Sequence, residues 1–190
     1  MSRWIPDGYL DFPLLAIQES DEEAICSQQP LTYFNACWPA LWIQSTSYIV
    51  GDLVHPPTQN GFIYECTVAG DAGAVEPGWG STQDQEFTDN GVTWKTHENY
   101  SLANEALLPS DLVITDGDVN GRKLTVGQKM GPVTHTSGTV THTALIQNTT
   151  NTLHFVSESQ TTIGGDNDVI SGRSTLFFEF TISISDPEEP

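Results

Sequence analysis

The chain has 190 residues, a length that suits one medium domain or two small ones. Its 6 basic residues stand against 25 acidic ones, and the net charge of −19 argues against nucleic acid and anionic membranes, which both need Lys and Arg. The same charge fits a soluble surface protein, a basic partner, or surroundings rich in salt or divalent cations. Only 16% of the residues are charged, and the polar remainder is mainly Ser, Thr, Asn, Gln and Gly, which favours strands and turns.

Cysteine spacing and the N-terminus indicate the setting of the protein. Cys26, Cys37 and Cys66 form neither an even disulfide set nor a zinc-site spacing, so we expect them to be reduced and buried, with no role assigned. The first 23 residues lack a signal-peptide pattern, and no stretch approaches the ~20 apolar residues of a membrane span. We therefore expect a soluble protein, made in the cytoplasm, with no membrane insertion.

Residues 1–41 are predicted to form an N-terminal docking arm with a short helical segment. The first 18 residues mix apolar side chains with Pro and Gly, which predicts an extended arm that docks on another surface or folds back on its own domain. Ser20 and Glu23 have the spacing of a capping box, so one or two short helical turns are expected in residues 24–38, separated by Pro30. The candidate docking residues of the arm are Trp4, Ile5, Tyr9, Leu10, Phe12, Leu14 and Leu15.

Residues 42–97 are predicted to form a small three-stranded β domain. Asn60-Gly61 is a strong hairpin signal between two apolar runs, and Asn90-Gly91 introduces a third short strand. Residues 98–109 are predicted to be a linker or a short helical turn.

Residues 110–190 are predicted to form an antiparallel β-sandwich or barrel-like domain, which makes the expected fold class all-β. Turn signals at Asn120-Gly121 and at 148–151 each lie between two apolar runs. The last strand shows a period of two residues. This alternation places the following residues on one face: Leu176, Phe178, Phe180, Ile182 and Ile184.

The candidate metal ligands form an incomplete pattern. Asp116, Asp118 and Asn120 match the first half of a calcium loop, but Gly127 occupies the twelfth position, where a bidentate Glu is needed. Strands rather than helices are predicted on either side. A hairpin turn is therefore favoured over a weak, exposed cation site.

No motif of a catalytic centre is present in the sequence. The chain lacks a nucleophile elbow, a phosphate-binding loop, a zinc-protease helix motif and a CxxC pair. His135 and His142 could face each other across a hairpin, but zinc needs a third ligand, which only a symmetric assembly would supply. Carboxylates are abundant, yet no two are marked as a glycosidase pair. We expect a protein that is not an enzyme and that uses no cofactor or metal.

Aromatic residues are concentrated in the predicted middle domain. A small domain needs only some of them as its core, and rings left exposed would form a stacking surface for the apolar faces of sugars. In the alternative, all of them build a miniature core. The five candidate binding residues are Trp42, Tyr48, Tyr64, Trp79 and Trp94.

The same domain resembles a known type of module. The motif residues are, in order, Trp42, Tyr48, Gly51-Asp52, Val54, Asn60-Gly61-Phe62, Tyr64, Cys66, Ala69-Gly70, Glu76-Pro77, Val92 and Trp94. This pattern resembles small chitin-binding-type carbohydrate-binding modules, and is also similar to modules repeated in tailed-phage structural proteins. The resemblance implies a compact three-stranded fold with an aromatic ligand surface, in which Trp79 falls at a variable position.

The C-terminal half also resembles phage proteins. Residues 115–123, followed by the string GTVTHTALI, are similar to β-rich segments of head-decorating or fibre proteins. Together the resemblances imply a structural component of a tailed-bacteriophage virion, made in the host cytoplasm. Its partners would be capsid, portal or tail proteins and further copies of itself in a homo-oligomer. The alternative is a carbohydrate-binding adhesion protein that uses an exposed aromatic face on a cell-surface glycan.

Overall fold

The computed structural model describes residues 7–116, 121–127, 133–136, 138–158 and 180–184. Strands dominate this part of the chain, so the expected all-β class is confirmed. Its two α-helices are α1 (Asp7–Gln18) and α2 (Tyr33–Ala36), and a 3-10 turn spans Pro109–Asp111. The strands are β1 (Glu22–Cys26), β2 (Ala40–Leu41), β3 (Ser47–Tyr48), β4 (Leu53–His55), β5 (Phe62–Val68), β6 (Gly70–Asp71), β7 (Glu86–Asp89), β8 (Val92–Glu98), β9 (Ser101–Ala106), β10 (Leu112–Asp116), β11 (Arg122–Val126), β12 (Val133–Thr134), β13 (His142–Gln147), β14 (Thr152–Glu158) and β15 (Phe180–Ile184).

A five-stranded antiparallel sheet has the order β12-β9-β1-β13-β14, and we call it the long-range sheet. It contains β1 where the first helical turn was expected and β9 where a linker or a short helical turn was expected, so these two predictions are wrong. The helical turn expected after Pro30 is present as α2. Residues 23–26 and 101–104 are buried, because β1 and β9 each have a strand on either side. The Ser20 hydroxyl caps no helix start and donates instead to the Ile17 carbonyl, 2.7 Å away.

The two faces of the long-range sheet are covered by different elements. On one face, Ala24 and Ala144 pack with α2 and with Ile63 of β5. On the other face, Leu145 packs with apolar residues of α1, β10 and β11. The expected boundary at residue 110 is therefore not a boundary of packing, because β1 and β9 join a sheet with β13 and β14.

A three-stranded sheet has the order β10-β11-β15, with antiparallel pairing throughout. The two strands predicted around Asn120-Gly121 do pair, with Asp116 opposite Arg122. Of the predicted last strand, residues 180–184 form β15, and its remaining residues lie outside the described part. The predicted pair around 148–151 is also present, as β13 and β14.

The middle sheet has the order β2-β4-β5-β8-β7, with a small β3-β6 pair in addition. The three predicted strands appear as β4, β5 and β8, and the turn before β5 uses Gly61 at a φ of +82°. The predicted number of three strands is wrong, because the sheet has five strands and β2 and β7 form its edges. Neither edge was visible in the sequence, since β2 has two residues and β7 reads EFTD without a clear apolar alternation.

The N-terminal segment is helical from Asp7, and the expectation of an extended conformation is wrong for residues 7–18. Pro13 lies inside α1 and lacks the N–H that would bond to the Tyr9 carbonyl. Packing compensates for this loss, because Leu14 is fully buried against the three-stranded sheet and β13. The helix therefore folds back on its own chain, which was the second of the two arrangements expected for the arm.

Candidate functional site

The five aromatic residues of the middle sheet lie together, but mostly in its core. Tyr64 and Trp94 are fully buried, and Trp42 and Tyr48 are 6% and 9% exposed. Trp79 is half-buried, with its ring centroid 4.5 Å from that of Tyr64 and 5.9 Å from that of Trp42. A buried ring cannot contact a sugar. The expected exposed aromatic face is therefore wrong for the four buried residues, and the miniature core is the arrangement that forms.

The polar atoms of these rings are used within the protein. The Trp42 indole N–H donates to Asp89 at 3.1 Å, and the Tyr64 hydroxyl donates to the Gly80 carbonyl at 2.7 Å. Burial raises the pKa of the Tyr64 phenol, which keeps it a neutral donor. The Trp79 indole donates to the exposed Glu76 carboxylate at 2.7 Å. The Tyr64 bond holds the segment between β6 and β7 to the sheet, and the Trp79 bond lies within that segment.

The candidate docking residues of the N-terminal segment separate into three groups. Trp4 and Ile5 lie outside the described residues, and Tyr9 and Leu10 lie in α1 without described side chains. Leu14 is part of the core. Phe12 and Leu15 are 77% and 48% exposed. Phe12 lies on the opposite side of the helix from Leu14, and Leu15 lies between the two. Ala16 is also exposed, four residues after Phe12, so it lies on the same side of the helix as Phe12.

Two polar contacts fix the orientation of α1. In its second turn, Asp11 pairs with the Arg122 guanidinium at 2.6 Å. In its last turn, the Gln18 amide donates to the Leu112 carbonyl at 2.6 Å. Both partners belong to the three-stranded sheet. The apolar outer face of α1 is therefore held in place by the sheet beneath it.

The calcium-like loop is only partly within the described residues. Asp116 is exposed at the end of β10, and its carboxylate accepts a hydrogen bond from Arg122. Asp118 and Asn120 lie outside the described residues. Asp116 therefore carries an ion pair, and in the described part of the chain no three His, Cys, Asp or Glu side chains are grouped as metal ligands.

A cleft that the sequence did not suggest lies where several connections meet, and we call it the Trp38 cleft. Its volume is 380 Å³, and it opens between the β4–β5 hairpin, the β8–β9 connection and the segments that follow β1 and β12. Its residues come from five separated parts of the chain, which is why no sequence motif marks it. The lining consists of Ser27, Gln28, Trp38, Gln59, Gly61, Phe62, Glu98, Asn99, Tyr100, Ser101, Leu102, Thr136 and Gly138.

Trp38 is fixed in this cleft by two histidines. Its ring is parallel to that of His135, with an interplanar angle of 3° and ring centroids 4.0 Å apart. The ring centroid of His55 lies 4.8 Å from that of Trp38. Burial, together with the nearby charge of His55, lowers the pKa of His135 to about 4. His135 and His142 do not face each other, because β12 pairs with β9 whereas β13 pairs with β1 and β14.

All three cysteines are buried free thiols, as the sequence predicted. Burial raises the pKa of Cys26 to about 12 and also raises the pKa values of Cys37 and Cys66. A thiol with a raised pKa carries little thiolate near pH 7 and is a poor nucleophile. The cysteines therefore act as small apolar core residues.

Comparison with known proteins found no matching family model, no matching curated protein and no matching solved structure. Among the described residues, neither helix is long and apolar enough to cross a membrane.

Proposed function

We propose that the chain is a structural component of a tailed-bacteriophage particle, in capsid decoration or in a tail or fibre. In this proposal it acts by protein–protein assembly and not by catalysis, and its partners are other virion proteins and copies of itself. The resemblances of residues 42–94 and 115–123 to phage structural proteins support the proposal. The structural observation that carries it is the outer face of α1, which we call the α1 face and define by Phe12, Leu15 and Ala16.

The α1 face has the properties of a contact surface. Two large apolar side chains, Phe12 and Leu15, are exposed one helical turn apart. An amphipathic helix that lays its apolar face into a groove is a recurring mode of protein recognition. Because Leu14, Asp11 and Gln18 already fix the helix, docking it would cost little conformational entropy.

The charge of the chain restricts the partner surface. With 25 acidic and 6 basic residues, the protein repels other strongly acidic surfaces at low salt. A partner face that is basic or largely apolar is therefore favoured. Contacts between copies would need an apolar centre, as the α1 face provides.

The proposal is tested by the double substitution Phe12→Ser and Leu15→Ser. The purified full chain is expected to form a discrete oligomer in light scattering, and the double variant is expected to be a monomer with unchanged far-UV circular dichroism. Deletion of residues 1–18 would be a poor test, because it also removes the buried Leu14 from the core.

A matched control uses Leu31→Ser and Val75→Ser, since these side chains are 76% and 78% exposed but lie away from α1. The control variant should keep the mass of the unmodified chain. A chain that is already monomeric, or an oligomer that survives the α1 double substitution, would contradict assembly through this face.

A further inference from the structure

We propose that the Trp38 cleft binds a neutral sugar. The proposal concerns a site made of residues other than the five aromatic residues of the middle-sheet core. It does not depend on a role in a phage particle. Three properties of the cleft carry it: its aromatic lining, its unused hydrogen-bonding atoms and its charge.

The apolar part of the described lining is mostly aromatic, with Leu102 as an aliphatic addition. Trp38, Phe62 and Tyr100 are half-buried and line the cleft from three different segments. Planar rings that are partly exposed in a concave site can pack against the C–H faces of a sugar ring. The stacking of Trp38 on His135 fixes its orientation before any ligand arrives, which lowers the entropy lost on binding.

The polar part of the lining has hydrogen-bonding capacity to spare. Within the described part of the chain, no partner is found for the exposed Gln28 amide, the Trp38 indole N–H or the Thr136 hydroxyl. Gln59 donates from its nitrogen to His55 and to the Pro56 carbonyl, which leaves its amide oxygen as an acceptor. Amides that both donate and accept suit hydroxyl groups, which do the same.

Charge decides the class of ligand. Among the residues that the structure describes, the lining contains no Lys or Arg, so these residues offer no ion pair to a phosphate, a sulfate or an acidic sugar. The one carboxylate in this described lining, Glu98, accepts a hydrogen bond from the Tyr100 hydroxyl at 2.5 Å, and this bond raises the pKa of Tyr100 to about 12. An uncharged ligand with many hydroxyl groups fits this lining better than an anion does.

The size of the cleft limits the ligand. Its 380 Å³ lies near the lower end of the roughly 300–1,000 Å³ usual for small-molecule sites. The cleft therefore suits one end of a glycan rather than a long chain.

The test uses the full chain and ligand-observed NMR with glucose, galactose, N-acetylglucosamine, N-acetylgalactosamine and lactose. At least one of them is expected to show saturation transfer from the protein. Gln28→Ala is then expected to lower the affinity for that sugar by roughly three- to tenfold, because one net hydrogen bond is worth about 0.5–1.5 kcal/mol.

Gln29→Ala is the matched control, since Gln29 is an exposed neighbour that does not line the cleft. The affinity of this control should equal that of the unmodified chain. The proposal would be overturned if none of the five sugars showed saturation transfer at tens of millimolar. Equal weakening by the two substitutions, or equal binding of a sialylated sugar, would overturn it as well.

Discussion

Asp89 is a buried carboxylate whose two oxygens hold different parts of the middle sheet. Oδ2 accepts the Trp42 indole N–H at 3.1 Å, and Oδ1 accepts the Gly73 backbone N–H at 2.9 Å. Asp89 is 5% exposed, so water does not readily replace either bond. The removal of this carboxylate would leave two buried donors without an acceptor.

Asp89→Ala should therefore lower the free energy of unfolding by about 2–4 kcal/mol, since each unsatisfied donor costs roughly 1–3 kcal/mol. Urea unfolding followed by Trp fluorescence measures this change. Asp71→Ala is the control, because Asp71 is exposed and its hydrogen bond to Ser47 is open to water. The decrease in the free energy of unfolding should be clearly smaller for Asp71→Ala than for Asp89→Ala. Equal losses in the two variants would contradict the anchoring role of Asp89.

His135 makes stability depend on pH. Its pKa is about 4 in the folded chain and about 6.5 when unfolded, so the unfolded state binds more protons between these values. The free energy of unfolding should therefore fall as pH drops from about 6.5 toward 4. We expect His135→Gln to show a smaller decrease in urea midpoint between pH 7 and pH 5 than the unmodified chain.

His142→Gln provides the comparison for this pH effect, since His142 lies on β13, outside the stack on Trp38. Its pH dependence should match that of the unmodified chain. A His135 variant with an unaltered midpoint difference would show that the stacked ring is not the titrating group.

At the scale of elements, α1 can be tested with two neighbouring leucines. Leu14 is fully buried and Leu15 is 48% exposed. Leu14→Ala should lower the free energy of unfolding by about 2–5 kcal/mol, as truncations of buried leucines usually do. Leu15→Ala should stay within about 0.5 kcal/mol. Thermal unfolding of the two variants measures the difference, and equal melting temperatures would mean that α1 is not part of the folded core.

The β6 strand approaches the β7–β8 turn so closely that only glycine fits. A Cβ on Gly70 would overlap the backbone of Gly91, whereas a Cβ on Gly78 would meet open space. Gly70→Ala should lose about 1–3 kcal/mol of stability. Gly78→Ala should change stability by less than about 1 kcal/mol. Chemical denaturation of both variants distinguishes them, and a neutral Gly70→Ala would contradict the close approach.

Local chemistry decided which elements were predictable from the sequence. The strand at Phe62–Val68 and its Asn60-Gly61 turn were predicted because turn residues and apolar alternation lie within a few positions. β1 and β9 were not predicted, because their strand conformation depends on partners far along the chain. Pro13 argued against a helix, and the packing of Leu14 overrode it.

The candidate site was likewise predictable only where the signal is local in the sequence. The proximity of the five aromatic residues could be predicted from their density in a short segment. Their burial could not, because it depends on how the 72–90 loop region covers the sheet. The Trp38 cleft combines residues of five segments, so no single stretch of sequence carries its signal.

For the whole molecule, the middle sheet and the long-range sheet share contacts that should make unfolding cooperative. Ile63 of β5 is fully buried in a cluster with residues of α2 and β1. The His97 ring stacks on Phe34 with centroids 3.9 Å apart, and the Asn99 amide donates to the Phe34 and Cys37 carbonyls at 2.8 Å. Disruption of one sheet would therefore expose apolar surface of the other.

Thermal unfolding should consequently show one transition. Trp fluorescence, which includes the buried Trp94, and far-UV circular dichroism should give coincident curves. Two separated transitions would mean that the two sheets unfold independently.

The position of β1 between β9 and β13 determines when the protein can fold during its synthesis. β1 is synthesised well before its two neighbours, because β9 lies much later in the chain and β13 later still. The Asn148 amide that binds Glu22 is 126 positions further along the chain. The buried edges of β1 are thus without partners until these later strands have been synthesised, and such long-range pairing slows folding. A nascent chain of this topology spends that time exposed to aggregation or to chaperones before its sheet closes.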